Sequence, residues 1–218
     1  MCHLHRMNFD EISCQLDHND LDSLSPGNWI TDNVINFAFG TFEKIYQLNS
    51  RNILLIEPSI VQLGTYYPRE AFNSMEFNSK VWIFLPINDT FTDGGGSHWA
   101  LVVLAPMHRK AFYIDSSTGS NYNKAVLLCQ NLSEYLGAYI NLVILKCIQQ
   151  NNGSDCGLYC IVFTEKILHE ISQKLLHWQQ GSLTSVCLYN FVNHKRYHLY
   201  RLIDDFLVHR ERKNQRII

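Results

Sequence analysis

The chain has 218 residues and a formal net charge of −2, with no excess of positive charge to hold nucleic acid. Hydrophobic residues make up 46% and charged ones only 17%, which argues against a disordered chain, since disorder combines low hydrophobicity with high net charge. No run of 18 apolar residues occurs, so no membrane span is expected.

The length suits one large domain. It is expected to span residues 1–218, with 1–19 and 209–218 peripheral or flexible; the basic cluster His209 to Arg216 reads as a solvated end. The seven cysteines (2, 14, 129, 147, 156, 160 and 187) are odd in number, and residues 1–20 lack an apolar signal core. Reduced thiols and a place inside the cell, cytoplasmic or nuclear, follow as expectations.

Residues 20–30 mix apolar residues with turn formers such as Pro26 and Gly27. Thr31 can cap a helix in which Val34, Ile35, Phe37, Ala38, Phe39, Phe42, Ile45 and Tyr46 recur at helical spacing. Residues 52–56 form a short apolar run, and 58–67 read as a second helix ended before Pro68. Residues 81–87 read as a buried strand with a proline near its end. Residues 90–97 contain Gly94-Gly95-Gly96 and read as a flexible loop. Residues 98–104 and 111–115 read as two strands joined by a turn. A helix over 123–136, a strand over 140–145, a polar connection over 149–154 and a long apolar helix from 155 or 156 follow. The region from Leu183 onward reads as helical again. Helices, then strands with helices between, then helices favour an α+β fold.

Chemistry concentrates in the run Gln149-Gln150-Asn151-Asn152-Gly153-Ser154-Asp155-Cys156-Gly157. It sets Cys156 where a polar turn enters an apolar helix. Free backbone N–H groups and the helix dipole favour a thiolate there, and the thiolate is the nucleophile. Gly157 is expected to leave space beside the sulfur for a substrate backbone. His98 opens a strand after the glycine loop, where an imidazole can take the thiol proton and later donate it to a leaving amine. Asp115 ends the next strand. If the two strands are antiparallel neighbours, Asp115 can orient His98 and stabilise its charged form. Gln150, six residues before Cys156, can point its amide at a developing oxyanion, with the Cys156 N–H as second donor. Taken singly, each has a plainer reading: Cys156 as a small buried helix residue, His98 as a strand cap, Asp115 as a turn former, Gln150 as a polar loop side chain. Cys156 and Cys160, and His194 and His198, share i,i+4 spacing but lack the further ligands of a metal site.

The Gln-Gln-x-Asn-Gly-Ser-Asp-Cys-Gly pattern, with Gly96-Ser97-His98-Trp99 upstream and Tyr113-Ile114-Asp115 between, resembles the Ulp/sentrin-specific proteases. The resemblance covers roughly residues 20–170. It implies a papain-like (Ulp/adenain-type) fold with a mixed central sheet flanked by helices. It also implies cleavage after the C-terminal Gly-Gly of a ubiquitin-like modifier, with His98 as base, Asp115 as its orienting partner, Cys156 as nucleophile and Gln150 as oxyanion donor. Asn28-Trp29-Ile30-Thr31-Asp32, Phe37-Ala38-Phe39 and the stretch from Phe84 to Asp89 are similar to the deneddylase branch, which acts on the Nedd/Rub modifier. That likeness puts Trp29, Asp32, Asn88, Asp89 and Trp99 among the substrate contacts. Trp29 and Trp99 would roof a tunnel for the glycine tail, and Asp32 would meet a basic residue near it. The plainer readings are core packing for the two tryptophans and a first-turn helix acid for Asp32.

The expected enzyme is a monomeric isopeptidase and precursor-processing protease for Nedd/Rub, needing no metal or organic cofactor. SUMO-directed cleavage on the same fold is the second reading, and a non-catalytic binder of ubiquitin-like proteins the third. Nucleic acid and membranes are not expected partners.

Overall fold

The computed structural model describes residues 9–90, 96–184 and 187–215. Residues 1–8 and 216–218, and the centre of the glycine loop at 91–95, lie outside the described residues, as does the flexibility expected there.

Five strands form one mixed sheet in the order β1 (Ile53–Leu55), β2 (Trp82–Asn88), β3 (Trp99–Ala105), β4 (Lys110–Ile114), β5 (Asn141–Ile144). The three central strands are antiparallel neighbours, and each outer strand runs parallel to the one it joins. β2 is buried along its whole length, so its side chains serve two cores in alternation. Trp82 and Phe84 pack with one cluster, Ile83, Leu85 and Ile87 with the other. Pro86 is tolerated because β1 pairs only with Trp82–Phe84 and leaves the strand open beyond them.

Seven α-helices cover the sheet among the described residues. α1 (His18–Ser23), α2 (Asp32–Tyr46), α6 (Cys156–Ser172) and α7 (Cys187–Gln215) contribute to the first core. α3 (Pro58–Tyr66), α4 (Pro68–Phe72) and α5 (Tyr122–Leu136) build the second. The α+β expectation and the mixed sheet flanked by helices describe this architecture. No helix among the described residues is long and apolar enough to cross a membrane.

Two helix starts position the site. Thr31 holds extended backbone (φ −76°, ψ 164°), and its Oγ1 accepts a hydrogen bond from the Val34 N–H at 3.3 Å. α6 begins at Cys156 and buries twelve residues, Cys156 to Thr164 among them, so its first turn is fixed from all sides.

The N-terminal segment corrects the sequence reading. Residues 9–16 are not peripheral: Ile12 and Leu16 are 7% and 2% exposed in the first core, and Phe9 packs edge-on to Phe206 of α7 at 5.8 Å. These isolated apolar residues sit among polar ones and show no period of their own. They are buried because α2 and α7 offer a seam, with Gly40 of α2 against Ile12. Residues 209–215 likewise continue α7, and Lys213 pairs with Asp10 at 2.7 Å.

Candidate active site

Cys156 is the first residue of α6, and Asp155 before it occupies the N-cap position. The turn leading in is built on Asn152. Its Oδ1 accepts from the N–H groups of Ser154 and Asp155, both at 3.0 Å, and its Nδ2 donates to Asp155 Oδ2 at 2.8 Å.

β3 and β4 carry the other two candidates. Their register pairs Leu101 with Ile114, so Asp115 lies just past the last pair and His98 diagonally beyond. His98 Nε2 meets Asp115 Oδ1 at 2.6 Å, with both residues buried. Nδ1 is therefore the nitrogen left to face the thiol, and His98 also hydrogen-bonds Cys156. Burial alone would push the His98 pKa down. The Asp115 and Cys156 hydrogen bonds and charges outweigh it and raise the value to about 9, so the imidazole holds its proton at neutral pH.

Burial works against the Asp115 carboxylate too, yet hydrogen bonds from His98, Tyr113 and the Ser117 N–H hold it below its ordinary value. Tyr113 Oη donates to Oδ2, the Ser117 N–H to Oδ1 at 2.8 Å and the Asn121 N–H to Oδ2 at 3.3 Å. Asn121 Nδ2 donates to the His98 carbonyl oxygen at 2.9 Å, which ties the start of α5 to the base of β3.

A cleft of about 480 Å³ opens onto Cys156, lined by Trp29, Asp32, Asn88 and Trp99 together with Ile30, Gln62 and Ser97. Trp29 is 54% exposed, and its Nε1 donates to the Gly153 carbonyl oxygen at 2.7 Å, so it roofs the cleft beside the Cys156 turn rather than filling a core. Gly157 has a different neighbour from the one expected. A Cβ there would stand 2.5 Å from Ile30 Cγ1 and 3.2 Å from Trp99 Cδ1, so the space beside the sulfur is taken by two cleft walls.

Two expected residues stand elsewhere. Asp89 does not line the cleft. Its carboxylate accepts from the Ser97 N–H at 2.6 Å, Ser97 Oγ at 2.6 Å and the His98 N–H at 3.1 Å, closing the neck of the 90–97 loop. Gly96 completes that neck at φ +94°, where a Cβ would meet Asn88 Oδ1 at 1.7 Å. Gln150 is anchored to Ser116, through its N–H to the carbonyl oxygen at 2.8 Å and through Oε1 from the hydroxyl at 2.7 Å. Its Nε2 donates to the Asn152 carbonyl oxygen at 2.7 Å and not toward Cys156.

Tyr113, Asn121 and Asn152, and Arg196 through the hydrogen bond of its Nη2 to Asp155 Oδ1 at 2.6 Å, stand at the site without having been singled out from sequence. Tyr113 and Asn152 lie inside the motifs already noted. Asn121 and Arg196 carry no local signal.

Comparisons with known proteins bear on the family and the fold. A profile of the Ulp1 protease family, C-terminal catalytic domain, matches residues 64–183. NEDD8-specific protease 2 of Schizosaccharomyces pombe is 32% identical over 183 residues, 77% of this chain and 43% of its own length. Sentrin-specific protease 8 of Rattus norvegicus is 30% identical over 169 residues, covering 73% of this chain and 78% of its own. The crystal structure of a de-sumoylating protease superposes with a TM-score of 0.73 over 93% of this chain and 90% of that one, at 15% identity.

Proposed function

Because the chain belongs to the Ulp1 protease family, whose members are cysteine proteases, we propose that it cleaves after the C-terminal Gly-Gly of a ubiquitin-like modifier, with Nedd/Rub preferred. The observation that carries the reading is the buried His98–Asp115 pair set against Cys156 at the start of α6, at the floor of a cleft walled by Trp29 and Trp99. A glycine tail offers no side chain to grip. A narrow cleft between flat rings selects it by excluding anything with a Cβ.

In this mechanism the proton that Cys156 gives up sits on His98 Nδ1, and Asp115 holds the imidazolium while the sulfur reacts as a thiolate. The thiolate attacks the carbonyl carbon of the terminal glycine. The Cys156 N–H is one donor to the oxyanion. Gln150 is the second, once its Nε2 exchanges the Asn152 carbonyl for the oxyanion. The tetrahedral intermediate collapses as His98 protonates the departing lysine amine, leaving a thioester on Cys156. Water, deprotonated by His98, then attacks the thioester and releases the modifier with a free carboxylate. Asp32, exposed at the cleft wall, is placed to meet a basic residue of the tail.

The name of the fission yeast relative, a NEDD8-specific protease, supports the Nedd/Rub preference. The expected result is the highest kcat/KM on a Nedd-type modifier when Nedd, SUMO and ubiquitin bearing the same C-terminal fluorogenic amide are compared. Faster cleavage of SUMO would move the assignment to the second reading. Binding without cleavage of any of them would make the protein a non-catalytic binder.

A further inference from the structure

We infer that Arg196 is a positioning residue for the nucleophile: its guanidinium neutralises Asp155, the residue before Cys156, and holds that carboxylate off the start of α6. The inference rests on the protease reading above.

Arg196 stands on α7, outside the segment that the family profile matches, and is only 9% exposed. Its Nη1 donates to the carbonyl oxygens of Ser23 at 3.2 Å and Ser25 at 3.1 Å. Its Nη2 donates to the Asn28 carbonyl oxygen at 3.1 Å and to Asp155 Oδ1 at 2.6 Å. One buried side chain therefore ties the turn that ends in Trp29 to the turn that ends in Cys156.

The consequence for chemistry lies in what Asp155 does not do. An aspartate at an N-cap ordinarily turns its carboxylate onto the free N–H groups of the first helical turn. Here Oδ1 is held by Arg196 and Oδ2 by Asn152, and α6 has no side-chain cap. Its first N–H groups remain open to an oxyanion. The charge acts in the same direction. A poorly solvated carboxylate beside a thiolate destabilises it by like-charge repulsion, and the guanidinium cancels that repulsion.

The test uses the full chain and a Nedd-type modifier with a C-terminal fluorogenic amide. Rates are normalised to the fraction of enzyme titrated by the same modifier bearing a C-terminal electrophile, so misfolded protein drops out. Arg196→Met is expected to lower kcat by roughly tenfold or more, through the uncancelled Asp155 charge. It is also expected to raise KM several-fold, through the released Trp29 turn. Adding Asp155→Asn to Arg196→Met is expected to return most of kcat and none of KM. A purely structural role for Arg196 would move both constants together and give no selective rescue. A double variant no faster than Arg196→Met overturns the inference. Should Arg196→Met give no titratable enzyme, Arg196→Lys and Arg196→Gln read the same contrast. The charged variant must keep the higher kcat, and equal values overturn the inference. Failure of wild-type enzyme to cleave any modifier would instead count against the protease reading.

Discussion

Replacing Asp115 with asparagine is expected to lower kcat/KM by about 10³-fold and to shift the alkaline limb of the pH–rate profile to lower pH. An asparagine at this position presents either an oxygen without charge or an N–H₂ group that cannot accept the Nε2 proton, so the imidazolium loses its counter-ion. In the native site the two Asp115 contributions, hydrogen bond and charge, help lift the His98 pKa from 6.5 to about 9 against burial. Without them burial remains, and His98 gives up its proton earlier as pH rises. The leaving amine then lacks its proton donor at a pH where wild type still works. Stability should follow the same sign. A group whose folded pKa is raised contributes stability fully present below 6.5 and lost as pH rises through about 9. Asp115, held low, contributes above its ordinary 3.8 and loses that contribution as pH falls through its folded value. Urea midpoints measured from pH 6 to 8, below the range where the buried thiols, pushed up by burial, make every variant lose stability, should therefore decline in wild type and decline less in Asp115→Asn. An alkaline limb left at about 9 in the variant would sink this account of His98.

Gly157→Ala carries the second large effect. The added methyl cannot be placed without moving Ile30, whose side chain it would meet at 2.5 Å, and Trp99 at 3.2 Å. Ile30 is 3% exposed and has little room to retreat, so the strain passes to the cleft walls and to Cys156 next door. A displacement of about 1 Å at a reacting group costs on the order of 10² in rate. The expected result is a kcat/KM lowered by about that factor while the far-ultraviolet circular dichroism stays unchanged. Activity within twofold of wild type would mean that the walls give way freely and that Gly157 does not shape the cleft.

The parts of the fold readable in advance were those with strong local pattern. β2, β3 and β4 appear as apolar runs because both faces of each strand meet a core. The start of α2 shows because Thr31 caps it, and the start of α6 because a polar turn meets an unbroken apolar run. The His98–Asp115 pair was reachable because an antiparallel hairpin brings the ends of two known strands together. What escaped depends on contacts across the chain. Ile12 and Leu16 are buried by helices far off in sequence, so no window around them reveals it. The family resemblance puts Asp89 among the substrate contacts, but its carboxylate has three closer donors in Ser97 and His98. Arg196 is one of four arginines on a polar helix. Only the three carbonyls and the carboxylate that converge on it from more than forty residues away in each case set it apart.

The site as a whole reduces to one bond, between Cys156 Sγ and the carbonyl carbon of a terminal glycine. Incubation with a Nedd-type modifier carrying a C-terminal electrophile, followed by peptide mass spectrometry, reads that bond directly. The account predicts one adduct per chain, on Cys156 and on none of the other six cysteines, and no adduct in Cys156→Ala. An adduct on a different cysteine, or undiminished labelling of Cys156→Ala, would contradict it.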